Sequence, residues 1–152
     1  MPRRYPTDLS PDEYLDEVRR YYAEQCAAYL EYVGTTWQGG LVRGPDGGAA
    51  ASDSNLWLAQ RAGVQPGDRI LDAGCGVCGP SIDIAQGIPG VTIDAITLEA
   101  TQVAIARKRV AEYGLDGRIR VHLGDFHDLP FPPRVFDVVL FLETCGYSYD
   151  LP

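Results

Sequence analysis

The chain has 152 residues, of which 45% are hydrophobic and 22% charged, and this composition is typical of one globular domain of modest size. Its net charge of −8 at pH 7 argues against a nucleic-acid surface, because phosphates would be repelled. No apolar run reaches the length of a membrane span, and the N-terminus lacks the apolar core of a signal peptide. Four cysteines are too few for a disulfide scaffold. Together these features favour a cytoplasmic location.

The N-terminal part is predicted to be helical. Ser10 is a good N-cap and Glu13 stands at the capping-box position, so a helix should begin here and run to about Val33. Residues 37–55 are rich in glycine and predict a long loop, followed by a helix over residues 55–62. Residues 1–62 are thus expected to form an N-terminal helical cap with a Gly-rich loop. The aromatic residues Tyr21, Tyr22, Tyr29 and Trp37 are expected in the core rather than at a ligand, although an aromatic face would also suit a cation.

From residue 63 onwards, strand and helix patterns alternate. Short apolar runs predict strands over residues 68–73, 91–97, 119–123 and 136–142. Helices are predicted between the first three strands, one over residues 80–86 and one from a cap at Thr97 to Gly114. The inner face of this second helix should consist of Val103, Ala106, Val110 and Tyr113.

This alternation implies an α/β fold, a doubly wound parallel sheet with right-handed crossovers. The fourth run, residues 136–142, is apolar throughout, which is typical of a strand covered on both faces. About ten residues follow it, so we expect residues 63–152 to be an incomplete half-domain, truncated after the fourth strand. An uncovered strand edge is a template for pairing, and we therefore expect self-association or a completing polypeptide.

The stretch ILDAGCGVCGPS, residues 70–81, fits three chemical patterns. Cys75 and Cys78 form a CxxC pair, a motif of metal sites and redox centres. Residues 74–79 fit GxGxxG, the dinucleotide fingerprint, in which glycine lets the backbone approach an anionic ligand at a helix N-terminus. Residues 72–76, DAGCG, fit the glycine loop of S-adenosylmethionine (SAM) methyltransferases.

The residues around this loop discriminate between the three chemical interpretations. One CxxC pair supplies two ligands where a structural zinc site needs four, so no bound metal is expected. A nicotinamide cofactor would require an acid at the end of the second strand, where Thr97 stands. Asp72, two residues before the first glycine, suits the ammonium and the positive sulfur of SAM, which favours the third pattern.

Four segments resemble, in order and spacing, the Rossmann-like SAM-dependent methyltransferases: ILDAGCGVCGP, DAITLEATQ, GDFHDLPF and FDVVLFLET. The residues of these segments are most similar to those in the branch of sterol side-chain methyltransferases, cyclopropane synthases and prenyl or polyketide C-methyltransferases. That branch has GCGxGGP in the loop, and this chain has Cys78 in place of the third glycine. The resemblance covers roughly residues 21–150 and implies a Rossmann-like fold with SAM as cofactor.

The resemblance also implies roles for single residues. The methionine end of SAM is expected against the glycine loop, the ribose against the TLxxxQ segment after the second strand, and the adenine beyond the third strand. Asp125 would accept from the adenine amino group, and Glu143 would face the reaction site, as a base if the acceptor is carbon. The implied cofactor residues are Asp72, Gly74, Cys75, Gly76, Gly79, Thr97, Leu98, Gln102, Asp125 and Phe126.

We therefore expect a SAM-dependent methyltransferase that acts on a small-molecule acceptor, at carbon or another atom. Two alternatives stay open: an incomplete or non-catalytic SAM-binding fragment that needs a partner, and a nicotinamide-dependent oxidoreductase. Neither histidine is assigned a catalytic role, since His122 is expected on the exposed face of its strand and His127 in a polar loop.

Overall fold

The computed structural model of the chain describes residues 9–37 and 51–149. Helix α1 spans Pro11–Tyr32, close to the prediction. It begins with a capping box, because Ser10 Oγ accepts from the backbone N–H of Glu13 and the Glu13 carboxylate accepts from that of Ser10. The local sequence therefore determines where this helix starts.

Helix α2 spans Ala51–Arg61, so the prediction of a loop up to residue 55 is wrong at its end. Ser54 and Asn55 are buried, and this packing stabilises a turn that the weak helix propensities of serine and asparagine would not predict. The rest of the predicted loop, residues 38–50, lies outside the described ranges. The division of the chain after residue 62 stays a prediction.

Four parallel strands form the sheet: β1 Arg69–Ala73, β2 Thr92–Thr97, β3 Ile119–Leu123 and β4 Val138–Leu140. Their order is β3-β2-β1-β4, so β1 is internal with β4 beside it, and the predicted α/β class is confirmed. The order reverses at β1, and ligands of open α/β sheets bind at the carboxyl ends of the strands around such a switch point.

Helices α3, Gly79–Gly87, and α4, Ala100–Glu112, follow β1 and β2. Tyr113 is 50% exposed, so its predicted place on the inner face is wrong, because it is the C-cap beyond the last turn of α4. Gly114 follows with a φ of +66°, as predicted for the residue after a helix end. The inner face of α4 is buried as predicted and consists of Val103, Ala106 and Val110.

The N-cap of α4 is Glu99, not the predicted Thr97. The Glu99 carboxylate accepts from the backbone N–H groups of Thr101 and Gln102 at 2.9 and 2.8 Å. These bonds satisfy two of the amide donors that a helix start leaves unpaired, and the negative charge suits the positive end of the helix dipole. The helix cap therefore lies two residues later than predicted.

Apolar side chains pack on both faces of the sheet, because successive strand residues point to opposite faces. Ile70 lies in the larger cluster, together with residues of α3 and α4. Its neighbour Leu71 lies in a smaller cluster on the other face. Aromatic residues from the segment between β3 and β4 pack on that smaller cluster: Phe126, Phe131 and Phe136.

Strand β4 is shorter and more exposed than predicted. Only its middle forms a strand, and Val139 and Phe141 are 48% and 44% exposed. In the described part of the chain, the faces of this strand are therefore only partly covered. None of the described helices is long and apolar enough to cross a membrane. Self-association and a cytoplasmic location stay predictions.

A charged cluster joins three strands on one face of the sheet. Asp94 Oδ2 accepts from Arg69 Nη2 at 2.8 Å, and Asp94 Oδ1 lies 2.8 Å from His122 Nε2. The His122 side chain is thus only 30% exposed, which corrects its predicted position. Burial alone would raise the pKa of Asp94, but the hydrogen bonds from Arg69 and His122 outweigh burial and lower the pKa.

Asp94→Asn should lower the free energy of unfolding by about 1–3 kcal/mol at pH 7, because Arg69 and His122 lose their anion. A lowered pKa stabilises the fold above the unfolded-state pKa, and this stabilisation disappears as pH falls through the folded-state pKa. Urea unfolding at neutral pH, and at the lowest pH at which both proteins fold, measures the difference.

The matched control is Glu112→Gln, which breaks the exposed pair with Lys108 and should change stability by less than about 0.5 kcal/mol. A loss of stability in Asp94→Asn that is the same at both pH values would contradict the assignment.

Candidate functional site

A cavity lies at the carboxyl ends of the strands, at the switch point of the sheet. It is bordered by α1, by residues 33–37, here named the strap, and by the loop after β4. Of the predicted site residues only Gly79 does not line it. Those that do are Asp72, Gly74, Cys75, Gly76, Thr97, Leu98, Gln102, Asp125, Phe126 and Glu143. The tertiary structure thus brings the predicted residues together.

The turn between β1 and α3 requires glycine at Gly74. Its φ is +91°, and a Cβ at this position would lie 2.5 Å from Thr144 Cγ2 in the loop after β4. The backbone N–H groups of Gly74 and Cys75 both donate to the Ile96 carbonyl at 2.9 Å. These bonds hold the turn against the end of β2, so its exposed edge faces the cavity.

Gly79 lies under the strap instead of facing the cavity. A Cβ at Gly79 would lie 1.9 Å from the carbonyl oxygen of Thr35, a backbone atom that cannot move away alone. Gly79 therefore packs against the strap and does not have the predicted position at the cofactor. It allows the strap to cross the start of α3.

A buried asparagine holds the strap in place. Asn55 of α2 is 0% exposed, and its Nδ2 donates to Thr36 Oγ1 at 3.1 Å and to Asp83 Oδ2 of α3 at 2.7 Å. The neighbouring strap residue, Trp37, lies against the glycine turn, since a Cβ at Gly76 would be 3.4 Å from its ring. The strap is thus hydrogen-bonded to α2, which is itself hydrogen-bonded to α3, while its last residue borders the cavity.

The two cysteines of the turn are buried thiols. Cys78 is the N-cap of α3 with a φ of +61°, a backbone conformation that costs a non-glycine residue about 1–2 kcal/mol. A hydrogen bond with Cys78, and then burial, raise the pKa of Cys75 well above its usual value. Protonated thiols are poor nucleophiles and poor metal ligands. The described residues contain no group of three or more potential ligands placed to hold a metal ion.

Asp72 places a buried negative charge on the cavity wall. It is 2% exposed, and Ser81 Oγ donates to its Oδ2 at 2.5 Å. Burial raises the pKa of Asp72 to about 6, although the hydrogen bond from Ser81 opposes that rise. At neutral pH the group is therefore mostly a carboxylate that is poorly solvated, and a cation in the cavity would stabilise it.

The end of β2 and the start of α4 supply polar groups. Thr97 Oγ1 donates to Gln102 Oε1 at 2.5 Å, which leaves the amide nitrogen of Gln102 to donate to a ligand. Glu99 also lines the cavity, although it is not among the residues predicted from the sequence. It stands twenty residues after Gly79, the spacing expected of a ribose-binding acid, but the prediction of a helix cap at Thr97 placed it inside the helix.

Beyond β3, Asp125 lies on the cavity wall and pairs with His127. The backbone N–H of His127 donates to Asp125 Oδ1 at 2.9 Å, and His127 Nδ1 lies 2.6 Å from the same oxygen. His127 Nε2 lies 2.8 Å from Ser148 Oγ. The histidine of the predicted polar loop therefore connects the cavity wall to the segment after β4.

Aromatic side chains form the opposite wall, and their predicted role as core residues is wrong for three of them. The rings of Tyr22 and Trp37 are stacked with centroids 6.2 Å apart, and the centroids of Tyr29 and Trp37 are 5.0 Å apart. Burial, and then a hydrogen bond with Tyr147, raise the pKa of Tyr22, so its phenol stays neutral. The aromatic wall, as it is called below, consists of Tyr22, Tyr29, Trp37 and Tyr147.

This arrangement suits a cationic ligand. Asp72 offers a carboxylate, and the aromatic wall offers ring faces that attract positive charge. Arg19 is the only cationic side chain in the described lining, and it pairs with Asp16 at 2.6 Å. Glu143, at the mouth, is exposed and has a φ of +58°, a strained conformation of the kind that is concentrated at functional sites.

Comparisons with known proteins agree with this geometry. A methyltransferase-domain family matches residues 70–150. The sterol 24-C-methyltransferase of Saccharomyces cerevisiae is 33% identical over 106 residues, which are 69% of this chain and 27% of that protein. The cycloartenol-C-24-methyltransferase of Arabidopsis thaliana is 29% identical over 144 residues, which are 90% of this chain and 41% of that protein.

Among solved structures, the 4+2 cyclase SpnF matches with a TM-score of 0.73 and 27% identity, over 82% of this chain and 47% of SpnF. This likeness confirms the Rossmann-like class of the fold. The chain spans 27% and 41% of the length of the two curated relatives.

Gly79→Ala should displace the strap, because the new methyl group would occupy the position of the Thr35 carbonyl. We expect a loss of about 2 kcal/mol or more in the free energy of unfolding, together with a changed Trp37 fluorescence spectrum in a Trp57→Phe background. Gly117→Ala is the control, since nothing lies within 4 Å of a Cβ there. Equal stability and equal spectra for the two variants would refute the close contact.

Proposed function

The chain belongs to the methyltransferase-domain family, and we propose that it binds SAM and transfers the methyl group to a small-molecule acceptor. One observation carries the proposal: a buried carboxylate, Asp72, and the aromatic wall border the same cavity at the switch point of the sheet. SAM carries an ammonium and a sulfonium, and both cations are matched by these two features. A nicotinamide cofactor carries a pyrophosphate, which the charge of Asp72 would repel.

The order of the polar groups along the cavity supports a cofactor orientation. The methionine end would lie at Asp72 and the exposed edge of the glycine turn, residues 74–76, with Cys75 contributing backbone. The ribose would lie at the segment that begins with Thr97 and Leu98, where the amide nitrogen of Gln102 is left to donate. To these residues we add Glu99, which lines the same part of the cavity.

The adenine would lie beyond β3, between the Asp125 carboxylate and the ring of Phe126. A carboxylate only accepts hydrogen bonds, and the amino group of adenine donates them. Phe126 contacts Phe141 edge to face, with centroids 5.5 Å apart, so its own ring is held in one orientation. This pair therefore offers both a polar and a stacking contact to a purine.

The acceptor would lie against the aromatic wall. Its rings present a largely apolar surface near Gly76, so an acceptor with an apolar skeleton fits it. The names of the two curated relatives specify methylation of carbon in sterol-type molecules, which supports carbon as the acceptor atom here. When bound, SAM supplies an electrophilic methyl group, and its displacement leaves a neutral thioether.

Glu143 is our candidate for the base. It borders the cavity beside Thr144 and is exposed, so a proton that it accepts can pass to water. A carbon acceptor that gains a methyl group must lose a proton to stay neutral. Acceptors with a nucleophilic oxygen or nitrogen depend less on such a base.

Asp72→Asn should change stability and affinity in opposite directions. At pH 7.5, the unliganded variant should be more stable by up to about 3 kcal/mol, because a carboxyl whose folded-state pKa is raised destabilises the fold above its unfolded-state pKa. The affinity for S-adenosylhomocysteine should fall about tenfold or more, because the ammonium loses its counter-charge. Urea unfolding and isothermal titration measure the two effects.

For the wild type, the affinity for S-adenosylhomocysteine should weaken as pH falls through about 6, where Asp72 is protonated. The control is Asp116→Asn, an exposed carboxylate that should leave stability and affinity unchanged. Thermal protection by NAD, with none by S-adenosylhomocysteine, would overturn the proposed cofactor.

Glu143→Gln should lower methyl transfer to a carbon acceptor about 100-fold or more while the affinity for S-adenosylhomocysteine changes less than about twofold. Transfer of labelled methyl from SAM to sterols, prenyl diphosphates and phenols tests both the activity and the acceptor class. Cys145→Ser, an exposed neighbour, is the control. Undiminished transfer to a sterol or prenyl carbon would exclude Glu143 as the base. Cofactor binding without any transfer would favour a non-catalytic role.

A further inference from the structure

We propose that His127 is a positioning residue, which holds the Asp125 carboxylate so that the cavity accepts adenine and rejects its 6-oxo counterpart, hypoxanthine. The inference rests on the proposed function, because it deepens the adenine contact of Asp125. His127 does not line the cavity and therefore acts through Asp125.

One carboxylate oxygen of Asp125 makes both of its hydrogen-bond contacts with His127. Oδ1 accepts from the backbone N–H of His127 at 2.9 Å and lies 2.6 Å from its Nδ1. An ionised carboxylate has no donor, so Nδ1 must carry the proton in this contact. Oδ2 accepts no hydrogen bond from any described residue, and no described lysine or arginine pairs with Asp125. The second oxygen therefore remains for a donor on the ligand.

The imidazole is itself held on three sides. With the proton on Nδ1, a neutral ring accepts at Nε2, which lies 2.8 Å from the Ser148 hydroxyl. The Tyr149 ring stacks on it with a centroid distance of 3.9 Å, and Phe126 lies at 4.5 Å on the cavity side. Its side chain is 13% exposed. The position of His127 is thus fixed, and it transfers that rigidity to Asp125.

Rigidity of this carboxylate determines which purine is accepted. Adenine presents a donor at its 6-amino group. Hypoxanthine presents an acceptor at that atom but carries a donor on the adjacent N1. A carboxylate that can shift by one atom position would accept from N1–H and bind both bases, whereas a fixed one meets the 6-oxo group and repels it. Sites built to receive an N–H group reject analogues that lack it by large factors.

Isothermal titration with S-adenosylhomocysteine and S-inosylhomocysteine tests the proposal. The wild type should prefer the adenine compound by about 100-fold or more. His127→Leu, which removes the side-chain donor, should reduce that preference about tenfold or more, and His127→Asn, whose amide can still donate to Asp125, should keep it within about threefold. His122→Leu removes the other histidine and should leave the preference unchanged.

A general disturbance of the fold would weaken both ligands equally and leave their ratio intact, and an unchanged ratio in His127→Leu overturns the proposal. If that variant does not fold, His127→Ala, which also lacks the side-chain donor, replaces it, alone and in a cycle with Asp125→Asn. His127→Ala should reduce the ratio about tenfold or more while Asp125 is present and should have no further effect once Asp125 is replaced, and a persisting effect overturns the proposal. A wild type that fails to bind S-adenosylhomocysteine refutes the proposed function instead, before any variant is compared.

Discussion

The turn between β1 and α3 has no room for a side chain at Gly74, and the start of α3 has none at Gly79; the whole site depends on this constraint. At Gly74 the loop after β4 approaches through Thr144, and at Gly79 the strap approaches through the carbonyl of Thr35. A methyl group at either position would push away an element that borders the cavity. Close backbone approach, rather than one strong bond, therefore assembles the walls of the site.

The negative charge of the site lowers the stability of the fold. Asp72 lies at the end of a buried strand, and its raised pKa shows that the fold tolerates its ionised form poorly. When a cation enters the cavity, its attraction to this poorly solvated carboxylate contributes to the affinity. Across from Asp72, rings that could have been buried in a core instead border the cavity, and their faces attract positive charge. Functional sites often reduce stability in this way.

Residues away from the cavity hold those that border it. Asn55 fixes the strap that carries Trp37. Thr97 orients Gln102, and His127 orients Asp125 while Ser148 holds the imidazole from behind. Such supporting contacts restrict side chains that would otherwise occupy several rotamers, so the cavity is largely formed before a ligand binds.

The sequence by itself determined the strands, most of the helices and the glycine turn. Alternation and helical spacing are local properties, and they predict a doubly wound parallel sheet with right-handed crossovers. The tertiary structure decided that β4 lies beside β1. Asp72 and the glycines are contiguous, so their shared turn could be read directly. Only the tertiary structure decided between Thr97 and Glu99 as the cap of α4, because both stand near the helix start and hydrogen-bond geometry selects one. It likewise assembled the aromatic wall and the contact of His127 with Ser148, since these residues come from segments far apart in the chain and no local periodicity specifies which of them will meet.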